Sequence, residues 1–175
     1  MKRALMICSV FCALMIGVAA VSAQKGANFA GAWELDKGKS QLPQMLADRL
    51  KGGTWTVTQD DKQLTREQKL DMAEGGGPGG GRGMGGGGAL TAKLDGSETT
   101  AETQRGKSTT KAKWLNEGKT LEITTVLSGE FQGNAFTFTT TEHWELADEG
   151  KTLKVHRKSE SPRGASESTW VFAKK

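Results

Sequence analysis

Apolar residues recur at every second position through much of the chain. Phe29, Gly31, Trp33 and Leu35 share one face, as do Trp55 and Val57, and Leu64, Arg66 and Leu70. The same alternation runs through Leu90, Ala92 and Leu94, through Ala112 and Trp114, and through Leu121, Ile123, Thr125 and Leu127. Phe136, Phe138, Thr140, Glu142, Trp144 and Leu146 form the longest stretch; Leu153, Val155 and Arg157, then Ser168, Trp170 and Phe172, complete the set. Period-two alternation enriched in Thr and aromatics predicts half-buried antiparallel strands. Short polar turns separate the segments, so the pattern predicts an all-β antiparallel meander of about 8–10 strands, at the spacing of a sandwich or a barrel. One stretch departs from period two. Leu42, Leu46 and Leu50 recur at helical spacing, Pro43 stands at the start and Gly52-Gly53 follows. This predicts a short helix from Pro43 to Leu50, after the first strand, capping one end of the barrel.

Three hairpins look related: Trp55 to Leu64, Trp114 to Leu121 and Trp144 to Leu153. Each has a Trp before a polar turn and a Leu after it, and the last two share Glu-Gly-Lys-Thr-Leu. Asn, Asp and Gly occupy turn positions that need unusual dihedrals. The repetition fits a sheet built from successive hairpins, although any meander favours such turns.

The first 23 residues have a different character. Lys2 and Arg3 precede an uncharged apolar run from Ala4 to Val21, and Val21-Ser22-Ala23 supplies small residues for cleavage. This is the pattern of a secretory signal peptide, with cleavage expected after Ala23. The residues before Cys8 and Cys12 are too bulky for a lipidation site. The domain therefore spans 24–175 and contains no cysteine, which excludes disulfides and thiolate metal sites. Removing Lys2 and Arg3 lowers the net charge from +4 to +2. Basic and acidic residues are interspersed, so nucleic acid is not an expected partner. No second long apolar stretch follows, and the second face of the strands carries Thr56, Thr58, Lys111, Lys113, Glu122 and Lys154. Neither a helical membrane protein nor an outer-membrane barrel fits; the expected location is the periplasm or the extracellular space.

Residues 75–88 hold eleven glycines with Pro78, Arg82 and Met84 between them. Such a stretch buries too little side chain to offset its ordering entropy, and it reads as a flexible loop between strands. No Gly-Lys-Ser/Thr and no helix follow it, so it is not a phosphate-binding loop.

Gly31-Ala32-Trp33 on the first strand resembles the Gly-x-Trp motif of lipocalins and other calycins. Phe29 to Asp36, with Lys39-Ser40, resembles the opening of secreted bacterial lipocalin-like proteins, and the closing Trp170-Val-Phe-Ala-Lys-Lys fits the same group. The resemblance implies a closed barrel in which Gly31 permits close backbone approach and Trp33 plugs one end. It also implies a late-strand Arg over that Trp, with Arg157 in register and Arg163 second. The chain departs from classical lipocalins in having no tyrosine and no helix after the last strand. An avidin-like binding set is not traceable.

Register yields one constellation. Pairing Leu146 with Leu153 and Trp144 with Val155 sets Glu142 opposite Arg157 on the aromatic face. In the first hairpin, Val57 opposite Leu64 sets Trp55 opposite Arg66. Inward charges are costly unless paired. One reading is a ligand cavity whose Arg66 and Arg157 hold an acidic head group. The other is an internal Glu142–Arg157 ion pair with Arg66 stacked on Trp55.

The catalytic inventory is thin. His143 and His156 point outward by alternation, and no nucleophile or metal motif appears. A haem-binding barrel resembling nitrobindins would need an inward His. Asp60-Asp61 and Asp148-Glu149 belong to turns. Neither an enzyme nor a cofactor is expected. The expected function is binding of a small apolar or amphipathic ligand inside a lipocalin-like barrel. The ligand set would be Trp33, Trp55, Arg66, Trp114, Phe136, Phe138, Glu142, Trp144, Arg157 and Trp170. The alternative is a structural or interaction module of the cell envelope with a filled, ligand-free barrel, since five tryptophans can fill a small one.

Overall fold

The computed structural model describes residues 26–73 and 89–175. The expected signal peptide and the glycine-rich stretch 75–88 lie outside the described residues. The elements are β1 (Gly31–Leu35), α1 (Gln44–Ala47), β2 (Leu50–Gln59), β3 (Gln63–Met72), β4 (Leu90–Lys93), β5 (Thr99–Thr103), β6 (Gly106–Leu115), β7 (Thr120–Phe131), β8 (Asn134–Ala147), β9 (Thr152–Ser161) and β10 (Gly164–Lys174).

All pairings are antiparallel, in the order β4-β3-β2-β1-β10-β9-β8-β7-β6-β5. The strand order is that of a meander, with β1 brought between β2 and β10. The sheet curls into a nearly closed barrel: Arg66 on β3 reaches Glu142 on β8 at 3.0 Å, and the rings of Trp55 on β2 and Trp144 on β8 lie 5.2 Å apart. β4 and β5 end the sheet without pairing to each other.

Alternation sorts the faces as the sequence predicts. Trp33, Trp55, Leu64, Ala112, Leu121, Ile123, Trp144, Leu153, Val155 and Phe172 are fully buried. Thr56, Thr58, Lys111, Lys113 and Lys154 are exposed on the other face. Gly31 has φ +141°, and a Cβ there would press on Lys174 Cε at 3.0 Å. The position therefore favours glycine.

The two hairpins that share Glu-Gly-Lys-Thr-Leu share a backbone as well. Asn116, Glu117 and Gly118 have φ of 50°, 56° and 82°, and Asp148, Glu149 and Gly150 have 51°, 56° and 84°. In each, the turn closes through an amide, Lys119 to Asn116 O and Lys151 to Asp148 O, both at 3.1 Å. The first hairpin is built differently: Asp60 Oδ1 accepts from the amides of Lys62 and Gln63 at 2.7 and 2.8 Å. That turn sets Gln59 opposite Leu64, so Val57 faces Arg66 and Trp55 faces Gln68. The expected Val57–Leu64 and Trp55–Arg66 pairs are thus displaced by two residues. A two-residue slip keeps every side chain on its face.

The helix is a single turn, shorter than the expected Pro43 to Leu50. β2 already begins at Leu50, which pairs with Met72 ahead of an irregularity at Gly52. Leu42 and Leu46 still pack on the core, and Leu50 is buried within it. Among the described residues no helix is long and apolar enough to cross a membrane.

Candidate functional site

The barrel interior is layered, and strand register sets the layers. Trp114, Leu121, Trp144, Val155 and Trp170 form one row across β6 to β10. Two residues along each strand, Ala112, Ile123, Glu142, Arg157 and Ser168 form the next. A further step gives Thr99, Thr110, Thr125, Thr140, Ser159 and Ser166, one hydroxyl on each of six consecutive strands.

The aromatic layer is solid. Trp55 lies 4.2 Å from Phe172 and 6.4 Å from Trp170, ring to ring, and Phe29 meets Trp144 edge-on at 5.7 Å. Trp114, half-buried, stacks on Phe29 at 6.1 Å. Trp33, Trp55, Trp144 and Trp170 are 0–2% exposed and pack together in the core. Trp33 donates to Phe29 O at 2.9 Å. The cation over Trp33 is Lys174, 5.3 Å from the ring, and not Arg157 or Arg163. The reason is register: Trp33 faces Lys174 across β1 and β10, while Arg157 faces Ser168 and lies over Trp170 at 5.1 Å. Arg163 stands in the exposed turn before β10.

Above this floor sits a charged layer. Glu142 is 3% exposed, Arg66 5% and Arg157 8%. Glu142 Oε1 accepts from Arg157 Nε at 2.8 Å and Nη2 at 2.5 Å. Arg66 Nη1 donates to both carboxylate oxygens, at 3.2 and 3.0 Å, and Trp144 Nε1 adds a bond of 2.9 Å to Oε2. Burial by itself would raise the Glu142 carboxyl, but Arg66 and Arg157 override it and hold the group at about 2. Burial pushes the Arg66 guanidinium down, against the attraction of Glu142. The Arg66 guanidinium carbon also lies 4.4 Å over Trp55. The expected ion pair and the expected stacking on Trp55 are both present, joined through one carboxylate. Two guanidinium cations against one carboxylate leave an excess positive charge in the layer. Among the described residues, Trp55 Nε1, Arg66 Nε, Gln68 Oε1 and Thr99 Oγ1 are buried without a hydrogen-bond partner.

Beyond the charged layer the inner face opens. Thr110 is buried, Thr125, Thr140 and Ser159 are half-buried, and Ser166 is exposed. Thr110 and Thr125 bond at 3.3 Å, and Thr140 and Ser159 at 3.5 Å. Phe136 is half-buried and Phe138 39% exposed, ring to ring at 5.2 Å. They stand above the packed core because β7 and β8 run past it. Across the barrel, inward positions of β3 and β4 carry Gln68, Leu70, Met72 and Leu90. Alternation did not single out the hydroxyl row, because Ser and Thr give no hydrophobic signal. Only its register on neighbouring strands could have revealed it.

The histidines lie outside, as expected. His143 faces His156 across β8 and β9. His143 Nε2 contacts Glu122 Oε2 at 2.9 Å, and His156 Nδ1 is 3.4 Å from Thr169 Oγ1. A shallow outer depression runs past Leu115, Asn116, Thr120 and both histidines. Among the described residues no three His, Cys, Asp or Glu side chains gather as metal ligands.

These features define a calycin-type barrel: ten antiparallel strands, very little helix and a plugged end. No protein-family model matches the chain, and no curated protein matches it. Among solved structures it is similar to zebrafish ileal bile acid-binding protein complexed with cholic acid, with a TM-score of 0.50 and 16% identity, covering 84% of this chain and 98% of that one. At that identity the likeness establishes the fold.

Proposed function

We propose that the protein is a secreted binding protein, periplasmic or extracellular, for a small apolar or amphipathic ligand held in the open half of the barrel. It acts as a carrier and performs no chemistry on its cargo. The observation that carries this reading is the charged layer: excess positive charge, with an unpartnered Arg66 Nε, lies just beneath an accessible inner face. A solid core needs no such layer, and an acidic head group settled against it would balance the charge. The ligand set expected from the sequence divides into three tiers. The tryptophans supply the floor, Arg66, Glu142 and Arg157 the polar base, and Phe136 and Phe138 the rim. The structural neighbour's cholic acid is itself a small amphipath, which agrees with this reading. The apolar leader ending in Val21-Ser22-Ala23 supports export.

A filled barrel serving as an envelope interaction module is the second reading. It is favoured by the closed aromatic packing and by Glu142 engaging both arginines. Native mass spectrometry of the gently purified protein separates the two. Discrete added masses that vanish on organic extraction are expected. A clean apo mass, with no binding from a lipid and fatty-acid panel, would favour the interaction module.

A further inference from the structure

We infer that the ligand is a rigid, facially amphipathic molecule: one face apolar, the other carrying several hydrogen-bonding groups. This rests on the ligand-binding reading above and specifies its cargo. Two dissimilar walls flank the open half. On β5 to β10, the row Thr99, Thr110, Thr125, Thr140, Ser159 and Ser166 sets one hydroxyl on every strand, about 5 Å apart. On β2 to β4, the facing inward positions are Gln68, Leu70, Met72 and Leu90, apolar except for Gln68. The contacts of Arg66 with Glu142 and Trp55 with Trp144 show that these two strand groups face each other across the barrel.

A flexible acyl chain has no use for the hydroxyl wall. Pressed against it, the chain would take water from hydroxyls that it cannot bond. The row already includes one such group, the buried and unpartnered Thr99 Oγ1, with Gln68 Oε1 unpartnered on β3. Hydroxyls both donate and accept, so the wall accommodates alcohols and carbonyls alike. A fused-ring skeleton holds its polar groups at fixed spacing and its other face bare, which matches both walls without loss of torsional freedom on binding.

The test uses two uncharged steroids that differ mainly in hydroxylation, hydrocortisone and progesterone, with dodecanoate as a flexible acyl probe, in equilibrium dialysis against the purified protein. A plain apolar pocket favours progesterone, the more hydrophobic of the two. The layered barrel should reverse that order and bind hydrocortisone at least about tenfold more tightly. The double variant Thr125→Val and Thr140→Val removes two neighbouring hydroxyls at nearly constant shape, and should restore the preference for progesterone. Thr125→Val alone should narrow the ratio if the double variant does not fold. Progesterone binding as tightly as hydrocortisone to the unaltered protein, or dodecanoate alone binding, would overturn the inference and leave the binding function standing. Failure of all three probes would overturn the inference and count against the binding function as well.

Discussion

A Glu142→Gln substitution leaves two guanidinium groups at the top of an aromatic core with no counter-charge. Breaking a buried ion pair from one side costs about 3–5 kcal/mol, because the remaining charge stays desolvated. Here one carboxylate serves both cations, so a loss at the upper end of that range is expected in urea unfolding at neutral pH. The same residue sets an acid limit. Its folded value of about 2 lies below the ordinary glutamate value of 4.5, so its contribution is complete above pH 4.5 and declines as the pH falls towards 2. The contribution is on the order of 3 kcal/mol. Unfolding free energies between pH 7 and pH 3 should therefore fall more steeply for the unaltered protein than for the variant. Parallel pH profiles would show that other carboxylates dominate acid sensitivity.

At the level of elements, the repeated Asn/Asp-Glu-Gly turns hold Glu117 and Glu149 at φ of 56°. A left-handed conformation costs a residue with a Cβ about 1–2 kcal/mol, partly offset in glycine by its greater freedom when unfolded. Glu149→Gly should therefore stabilise the hairpin slightly, by up to about 1 kcal/mol, measured as a small rise in the urea midpoint. Destabilisation would mean that Glu149 makes a compensating contact. These turns were legible because their chemistry is local. So were the third hairpin's register and the inward placing of Glu142 and Arg157. Three things were not legible. β5, with the sequence Thr-Thr-Ala-Glu-Thr, has no apolar residue larger than alanine to mark a face and owes its strand state to pairing with β6. The β2–β3 register was displaced because it depends on how Asp60 closes its turn, and alternation is blind to a slip of two. The partner of Trp33 was misassigned because the pairing of β1 with β10 joins the two ends of the described chain.

For the molecule as a whole, the same division between what hydrophobicity encodes and what it does not becomes a gradient of stability. The aromatic half is close-packed and held by strands paired on both sides, with β8 bonded to β7 and β9 along most of its length. The hydroxyl half has less buried apolar surface, and it borders the seam between β4 and β5, which among the described residues do not pair with each other. Among the described residues, β4 pairs only with residues 63–66 of β3, and β5 only with β6. End strands with one neighbour and little buried side chain open locally at a free energy well below that of global unfolding. Native-state hydrogen exchange should therefore find the amides of Leu90–Lys93 and Thr99–Thr103 exchanging through local opening, while those of Thr141–Leu146 exchange only when the whole domain unfolds. Thr99, the first residue of the hydroxyl row, lies on this seam, so a ligand that bonds the row should slow exchange there before anywhere else. Uniform protection across β4, β5 and β8 would show that side chains lock the seam, and that a ligand has to enter by another route.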